Sequence, residues 1–249
     1  MIVEKYLERI KMSTPAKASK DFLYKLQRSH LLNVPFENLD IHYNRPISLN
    51  LDDIYEKIVV RKRGGFCYEL NGLFNQLLKQ LGFNSYLVSA QVHDKDGDYS
   101  PEYDHLAIIV NIDNEEFLVD VGFGKFALEP LPIKLNEEIV DMYGIFRFDQ
   151  YGSDYLRISE VVNQSLSPQY IFSRKERKLS EFNNRCHFHQ TSKDSHFSRK
   201  KMISVAMSNG RMTLNNTQLK TTVSDISETI DFKEDEFEDR LFEYFNIRM

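Results

Sequence analysis

The segment from Arg63 to Gly72 contains the residue best suited to nucleophilic chemistry, a cysteine. The sequence pattern predicts that this cysteine lies on the first turn of a helix. From residue 70 onward, apolar side chains recur at the spacing of one buried helical stripe, and Gly82 stands at the stop position. Cys67 therefore falls at the helix N-terminus, where unpaired backbone N–H groups and the helix dipole favour a thiolate. Gly64 and Gly65 permit a close approach to the sulfur. The same backbone N–H groups could stabilise an oxyanion.

A predicted hairpin would bring a base close to a carboxylate. Strand-like runs cover 104–112 and 115–121, and Asp113-Asn114 predicts the turn between them. With a two-residue turn, His105 and Asp120 are diagonal neighbours on one face of the sheet, roughly 7–8 Å apart at the backbone. A three-residue loop would separate them. A carboxylate bonded to one imidazole nitrogen leaves the other to take a proton from a cysteine, so a catalytic relay is available.

His187 and His189, which flank Phe188 next to Cys186, are weaker candidates for metal ligands. No second pair of ligands stands at the spacing of a zinc finger. The pattern is interpreted as a half-exposed strand, and no metal is expected.

Composition favours an enzyme of the cytoplasm. The net charge of −5 over 249 residues gives no reason to expect nucleic acid or an anionic membrane as a partner. The chain has no long apolar run, and its first nine residues, Met1 to Arg9, are too highly charged for a signal peptide. Two widely separated cysteines are typical of a reducing compartment.

Four motifs occur in an order that resembles one family, the arylamine N-acetyltransferases of bacterial type. They are Pro35-Phe36-Glu37-Asn38-Leu39, Arg63-Gly64-Gly65-Phe66-Cys67-Tyr68-Glu69-Leu70-Asn71, Asp104-His105-Leu106 and Val119-Asp120-Val121-Gly122-Phe123-Gly124. The resemblance is dense in the N-terminal half and thinner toward the C-terminus.

The resemblance implies an acyl transfer in two steps. Acetyl-CoA, a co-substrate and not a permanently bound cofactor, would acetylate Cys67, and an arylamine or arylhydrazine would then attack the thioester. His105 would be the general base and acid, and Asp120 its orienting partner. The other implied roles are an ion pair that braces the catalytic loop (Glu37 and Arg63), rings that contact the substrate (Phe36 and Phe123) and donor-binding residues (Gly124 and Lys125).

The resemblance also implies an α+β fold with a papain-like arrangement of the catalytic groups. We expect a helical subdomain over 1–84 that carries the nucleophile, and a barrel-like β-subdomain over 85–190 that carries the histidine and aspartate. A C-terminal α/β lid would cover 191–249. Asn50 is a possible helix cap, Asn209-Gly210 predicts a hairpin, and apolar residues near the C-terminus predict a closing helix.

One loop departs from the family pattern. After Gly124 the family usually continues with another glycine and small hydroxylated residues, whereas this chain has Lys125-Phe126-Ala127-Leu128-Glu129. The two bulky side chains could narrow the route to the nucleophile, and the glutamate would repel phosphates that the lysine could attract. We therefore expect poor use of acetyl-CoA relative to a small activated ester, unless the loop simply packs differently.

Two other functions stay open. A cysteine peptidase or a transglutaminase-like enzyme would use the same three residues, but would take the acyl group from an amide instead of a thioester. A family member that has lost or restricted its use of acetyl-CoA would only bind a small aromatic or pterin-like ligand. The altered loop after Gly124 is the feature that favours this second alternative.

Overall fold

The computed structural model describes residues 1–13, 17–224 and 226–249, and its first part is mainly helical. The elements of this part are α1 (Val3–Arg9), α2 (Lys20–Asn33), β1 (Phe36–Glu37), α3 (Leu39–His42), α4 (Leu51–Tyr55) and α5 (Cys67–Gln80). The predicted cap is confirmed, because the Asn50 side chain accepts hydrogen bonds from the backbone N–H groups of Asp52 and Asp53. A π-helical turn, Glu56–Val60, extends α4.

Helix α5 is buried along the predicted apolar stripe. Leu70, Leu73, Phe74, Leu77 and Leu78 are all fully buried. Each such side chain contributes about 1.5–3 kcal/mol through removal of its surface from water. Gly82 follows the helix with a φ of +87°, a left-handed conformation that glycine adopts at little cost. The packing holds the whole helix, and therefore its N-terminus, in one position.

Antiparallel strands form the barrel-like second part. The strands are β2 (Asn84–Val92), β3 (His105–Ile112), β4 (Glu115–Val119), β5 (Leu131–Pro132), β6 (Glu138–Asp141), β7 (Gly144–Tyr151), β8 (Tyr155–Val162) and β9 (Ser165–Phe172). In the described chain they form an eight-stranded sheet in the order β5-β4-β3-β2-β9-β8-β7-β6. Asp141, at the end of β6, accepts hydrogen bonds from the backbone N–H groups of Leu128 and Glu129, shortly before β5. This contact joins the two edges of the sheet.

The predicted hairpin between β3 and β4 is confirmed. Ile108 pairs with Val119, and Asp113 and Asn114 form the turn with φ values of 49° and 63°. These positive φ values are those of the tight turn that matches the twist of a hairpin. His105 begins β3, and Asp120 follows directly after β4. The turn therefore sets the positions of both residues.

The third part combines a sheet with helices. Its elements are α6 (Asn183–Thr191), β10 (Met202–Met207), β11 (Gly210–Asn215), β12 (Gln218–Val223), β13 (Ile226–Asp231) and α7 (Phe237–Phe245). The sheet order is β1-β10-β11-β12-β13, so Phe36 from the first part pairs with Ser204. The predicted hairpin joins β10 and β11, but its turn lies one residue earlier, because Met207 pairs with Gly210.

The strand predicted around His187 and His189 is wrong, because both residues lie on α6. Polar and apolar residues alternate around Phe188, and this two-residue period is typical of a strand. The helix instead buries Cys186 and His189, three positions apart, and leaves His187 exposed. A buried histidine on a short helix needs a polar partner elsewhere in the fold, which the local pattern does not show.

The α+β class and the order of a helical, a barrel-like and a mixed part are confirmed. The boundaries after residues 84 and 190 stay a prediction. Among the helices that the structure describes, none is both long and apolar enough to cross a membrane.

His30 is expected to make the protein sensitive to acid. Its ring is fully buried, and burial lowers its pKa to about 3. The unfolded chain binds this proton below about pH 6.5 and the folded chain does not, so the free energy of unfolding should fall by about 1.4 kcal/mol per pH unit on acidification. Urea unfolding at several pH values between about 6.5 and 4.5, above the range of ordinary carboxylates, measures this slope.

His30→Leu is the matched control. The variant should be less stable at neutral pH, because the Tyr6 hydroxyl loses its bond to His30 Nδ1 at 3.1 Å. The free energy of unfolding of the variant should nevertheless fall less steeply with decreasing pH than that of the wild type. Equal slopes in both proteins would assign the acid sensitivity to other groups.

Candidate active site

Cys67 is the first residue of α5, as predicted, and only 4% of it is exposed. The loop before it packs tightly against the segment at Pro35, where the Gly65 N–H donates to the Pro35 carbonyl oxygen at 3.2 Å. A side chain at Gly64 would place its Cβ 2.2 Å from the same oxygen. Glycine is therefore required there, and the close approach fixes the start of α5.

The surroundings of Cys67 raise the pKa of its thiol well above the ordinary value. Burial is the main cause, the negative charges of Asp104 and Asp120 act in the same direction, and a hydrogen bond from the Tyr68 backbone N–H opposes them. The position of Cys67 at a helix N-terminus would by itself lower this pKa. The thiol is therefore expected to keep its proton until a neighbouring base removes it.

His105 and Asp120 form a buried hydrogen-bonded pair. His105 Nε2 lies 2.7 Å from Asp120 Oδ2. Burial by itself would raise the pKa of Asp120, but the charge and hydrogen bond of His105, with hydrogen bonds from Asn71 and the Gly122 N–H, hold that pKa below its ordinary value. The ionised carboxylate fixes the ring so that Nδ1 is free to take a proton.

Asn71 and Tyr170, which the sequence motifs did not single out, hold Asp120 in place. Asn71 Nδ2 donates to Asp120 Oδ1 at 2.9 Å, and the Tyr170 hydroxyl donates to Oδ2 at 3.0 Å. Asn71 also donates to the Leu106 carbonyl oxygen at 2.6 Å and accepts from the Val121 N–H at 2.9 Å. One buried amide thus ties α5 to both strands of the hairpin.

The turn after β4 touches the backbone of the candidate nucleophile. A Cβ on Gly122 would lie 2.9 Å from the Cα of Cys67. The structure therefore brings together the three residues proposed from sequence, Cys67, His105 and Asp120, at the junction of α5 with the barrel.

The predicted ion pair between Glu37 and Arg63 is present. Arg63 Nε and a terminal nitrogen donate to the two carboxylate oxygens of Glu37 at 2.7 and 2.8 Å. The pair belongs to a larger buried network that the motifs did not reveal. Arg63 also pairs with Asp40 at 2.9 Å, and Lys57 joins Asp40 at 2.7 Å to Glu69 at 2.9 Å.

This network ends at the nucleophile. Glu69 Oε2 accepts a hydrogen bond of 2.8 Å from the backbone N–H of Phe66, the residue before Cys67. The contact satisfies a backbone donor that the helix itself leaves unpaired. Removing the partner of any buried charge here would be costly, about 3–5 kcal/mol.

Phe36 and Phe123 lie on different elements near the candidate nucleophile and base. The ring of Phe36 is 5.8 Å from that of Phe66 and 6.1 Å from that of Phe197. The ring of Phe123 is 4.9 Å from that of His105. Both phenylalanines are partly exposed, so they could contact a bound aromatic molecule.

Lys125 lines a groove of about 600 Å³ between the barrel and the third part. Arg211 and Lys220 supply further positive charge, and threonine and serine hydroxyls are among the other lining groups. We call this site the basic groove. Arg211 donates to the Gly124 carbonyl oxygen and to Ser204 Oγ. Its guanidinium is largely buried, which lowers its pKa, and no carboxylate of the described chain pairs with it. An anionic ligand would supply the missing charge.

The loop after Lys125 does not project from the surface. Phe126 is buried in the core of the barrel, Leu128 is also buried, and Glu129 pairs with Arg28 at 3.4 Å. Phe126 reaches the site indirectly, since its ring lies 5.5 Å from that of Phe123. Poor use of acetyl-CoA stays a prediction.

Over residues 1–13, 17–224 and 226–249, no three side chains of His, Cys, Asp or Glu are placed to hold a metal ion.

Comparisons with known proteins agree with one another. The sequence model of a family described as N-acetyltransferase matches residues 21–249. The arylamine N-acetyltransferase pineal gland isozyme NAT-3 of Gallus gallus is 32% identical, over 100% of this chain and 95% of the relative.

Solved structures show the same fold. The arylamine N-acetyltransferase of Mycobacterium smegmatis superposes with a TM-score of 0.90 at 26% identity, over 99% of this chain and 92% of that chain. An arylamine N-acetyltransferase of Bacillus cereus, described with a unique Cys-His-Glu catalytic triad, superposes with a TM-score of 0.90 over 100% of both chains. At 24% identity, this second likeness concerns the fold alone.

Proposed function

Because the chain belongs to the arylamine N-acetyltransferase family, whose activity is acetyl transfer to arylamines, we propose that Cys67, His105 and Asp120 carry this reaction. The observation that supports the proposal best is the 2.7 Å contact between His105 Nε2 and Asp120 Oδ2, next to a cysteine that begins a helix. This pairing leaves His105 Nδ1 as the base for the thiol.

In the first half-reaction, Cys67 takes an acetyl group from acetyl-CoA. His105 removes the thiol proton while the sulfur attacks the thioester carbonyl, which forms a tetrahedral oxyanion. Backbone N–H groups at the start of α5 are proposed to stabilise this charge. The intermediate collapses by breaking the bond to the CoA sulfur, and the imidazolium of His105 returns the proton to the departing thiolate. The cysteine is left as a thioester.

In the second half-reaction, the nitrogen of an arylamine attacks the acetyl-cysteine. His105 takes a proton from the attacking nitrogen, and the bond between the acetyl carbon and the Cys67 sulfur breaks. The departing thiolate then receives the proton from His105, which restores the starting state. The same imidazole thus serves as base and acid in both halves.

An aspartate is the proposed third member, although the Bacillus cereus relative is described with a glutamate. Both oxygens of Asp120 already accept hydrogen bonds, Oδ1 from Asn71 and the Gly122 N–H, and Oδ2 from His105 and Tyr170. A longer side chain would displace these oxygens by about 1.5 Å. The surroundings therefore fit the shorter acid.

Phe36 and Phe123 are proposed to contact the ring of the acceptor. The partly exposed faces of these rings lie near the nucleophile and the base, and a flat aromatic amine can stack or pack edge-on against them. Glu37 and Arg63 are proposed to act only through the position of the loop that carries Cys67.

The basic groove is proposed to bind the phosphates of acetyl-CoA, with Lys125 beside Gly124 at the end nearest Asp120. Lys125→Gln combined with Lys220→Gln should raise the KM for acetyl-CoA about three- to tenfold, because two exposed cations are lost. The rate with a small activated ester, p-nitrophenyl acetate, should not change. Steady-state kinetics with both donors measure the difference.

A second basic groove provides the matched control. It lies on the helical part and is lined by Lys5, Lys11 and Lys62. Lys5→Gln combined with Lys62→Gln removes the same charge from the protein and should leave both donors unaffected. A raised KM in the control, or an unchanged KM in the first variant, would reject the proposed donor site.

Initial rates with acetyl-CoA and aniline test the proposed function. A covalent acetyl-enzyme predicts parallel lines in double-reciprocal plots when the two substrates are varied. Intersecting lines would indicate a ternary complex and contradict the mechanism. Transfer from an amide donor but not from a thioester would favour the peptidase-like alternative.

A further inference from the structure

A second pair of a histidine and a carboxylate lies beside the candidate triad. His189 Nε2 is 3.0 Å from Asp104 Oδ1, and Arg185 Nε donates to the same oxygen at 2.6 Å. His189 Nδ1 lies 3.2 Å from Ser195 Oγ. Only 3% of the His189 side chain and 10% of the Asp104 side chain are exposed. Nothing in the proposed reaction uses these groups.

Asp104 is connected to both the nucleophile and the base of the proposed triad. It directly precedes His105 in the chain, and its carbonyl oxygen accepts a hydrogen bond of 3.0 Å from the hydroxyl of Tyr68. Tyr68 in turn follows Cys67. The position of Asp104 is therefore coupled to the nucleophile through α5 and to the base through β3.

His189 packs against the residues on both sides of Cys67. Its ring is 5.9 Å from that of Phe66 and 6.2 Å from that of Tyr68. Helix α6, which carries His189 and Arg185, is thus fixed against the start of α5. The contacts of His189 and Arg185 with Asp104 are formed here, close to the place where the reaction separates charge.

Several charged or titratable groups surround the reacting atoms. The groups that affect the pKa of Cys67 are Cys186 from α6, Asp104 before β3 and Asp120 after β4. His105 contacts Asp120 and the ring of Tyr170. Asp104 contacts His189 and Arg185 from α6. Burial would raise the pKa of Asp104, but His189 and Arg185 lower it to about 2, so the carboxylate is ionised at neutral pH.

We propose that Asp104, held by Arg185 and His189, is a positioning residue that sets how readily Cys67 gives up its proton to His105. The inference rests on the proposed function for the roles of those two residues. The negative charge of Asp104 opposes negative charge on the sulfur of Cys67. The guanidinium of Arg185 pairs with this carboxylate, so its positive charge acts on the sulfur in the opposite sense.

Opposite changes of charge should therefore shift the reactivity of Cys67 in opposite directions. Asp104→Asn keeps an acceptor at Oδ1 and removes the negative charge, so the midpoint of thiolate formation should move down by about 0.5–1 pH unit. Arg185→Gln removes the positive charge and should move it up by a similar amount. A purely structural role would not give shifts of opposite sign.

The rate of alkylation of Cys67 by iodoacetamide at fixed pH values between about 6 and about 9, followed by mass spectrometry, measures this shift. Below the midpoint the rate is proportional to the fraction of thiolate, so a shift of about 0.5–1 pH unit changes the rate about three- to tenfold. Asp149→Asn is the matched control, because Asp149 also pairs with an arginine, Arg157, but on β7 and β8. Its profile should coincide with that of the wild type. Thermal unfolding of each variant checks the fold.

Alkylation needs no acyl donor, so the outcomes separate the two claims. Failure of wild-type Cys67 to react would argue against the proposed function itself. A reactive wild type whose Asp104→Asn and Arg185→Gln variants shift in the same direction, or not at all, would overturn the role of Asp104 alone. If Asp104→Asn does not fold, the Arg185→Gln variant alone tests the proposal. A midpoint of thiolate formation in Arg185→Gln that is not higher than that of the wild type would then reject it.

Discussion

Cys67→Ser is expected to lower acetyl transfer from acetyl-CoA by at least about a thousandfold. A serine hydroxyl is a far poorer nucleophile than a thiol at neutral pH, because its proton is much harder to remove. The side chain is almost the same size and 4% of the residue is exposed, so the fold should be preserved. Turnover with aniline, together with the temperature of thermal unfolding, measures both effects.

Cys186→Ser is the matched control for the thiol. Cys186 is also buried, which raises its pKa to about 12, and Gln190 Nε2 donates to its sulfur at 3.3 Å. It is therefore expected to stay protonated and unreactive. The variant should lose some stability but keep its turnover. Activity that persists in Cys67→Ser and disappears in Cys186→Ser would place the chemistry on the other cysteine.

Asp120→Asn is expected to lower turnover by about a thousand- to ten-thousandfold. An amide can donate to His105 Nε2, which would leave the proton on Nδ1 and remove the acceptor that the thiol of Cys67 needs. In this orientation the NH₂ group would also face the Tyr170 hydroxyl, which donates to Oδ2 of the aspartate. The variant should therefore be less stable by about 1–3 kcal/mol.

The two effects of Asp120→Asn can be separated by comparing the variant with His105→Ala at a temperature where both are folded. Loss of either residue should disable proton transfer to a similar degree. Near-normal turnover in either folded variant would show that the buried pair is structural and that another group accepts the proton.

Much of the candidate site could be predicted from the sequence, because local rules set its geometry. The turn at Asp113-Asn114 has two residues, and that number alone places His105 and Asp120 on the same face. The spacing of leucines in α5 likewise places Cys67 at the helix start. Such signals need no knowledge of the rest of the chain.

The partners of Asp120 could not all be found in this way. Asn71 gave a weak signal, as a polar residue within the buried helix that follows Cys67, but nothing in the local sequence of β9 marks Tyr170 as a partner of a carboxylate. Its hydroxyl reaches Asp120 because β9 pairs with β2, the neighbour of β3 in the sheet. Contacts of this kind depend on tertiary packing, which local patterns do not encode.

The same limit explains the error at His189 and the missed ion network. The short helix α6 is stabilised by contacts such as that between His189 and Asp104, which lie far apart in the chain. Lys57 could not be assigned to Asp40 and Glu69 from spacing, because an isolated lysine on a predicted helix is usually exposed. The direction of the Cys67 pKa shift also depended on burial.

The mass of the intact protein after incubation with acetyl-CoA, without acceptor, tests the central claim most directly. The covalent mechanism predicts the gain of one acetyl group, located on the peptide that contains Cys67 and lost again when aniline is added. The Cys67→Ser protein should gain none under the same conditions. An unmodified wild-type protein that still transfers acetyl groups to aniline, or an acetyl group found on another residue, would contradict the mechanism.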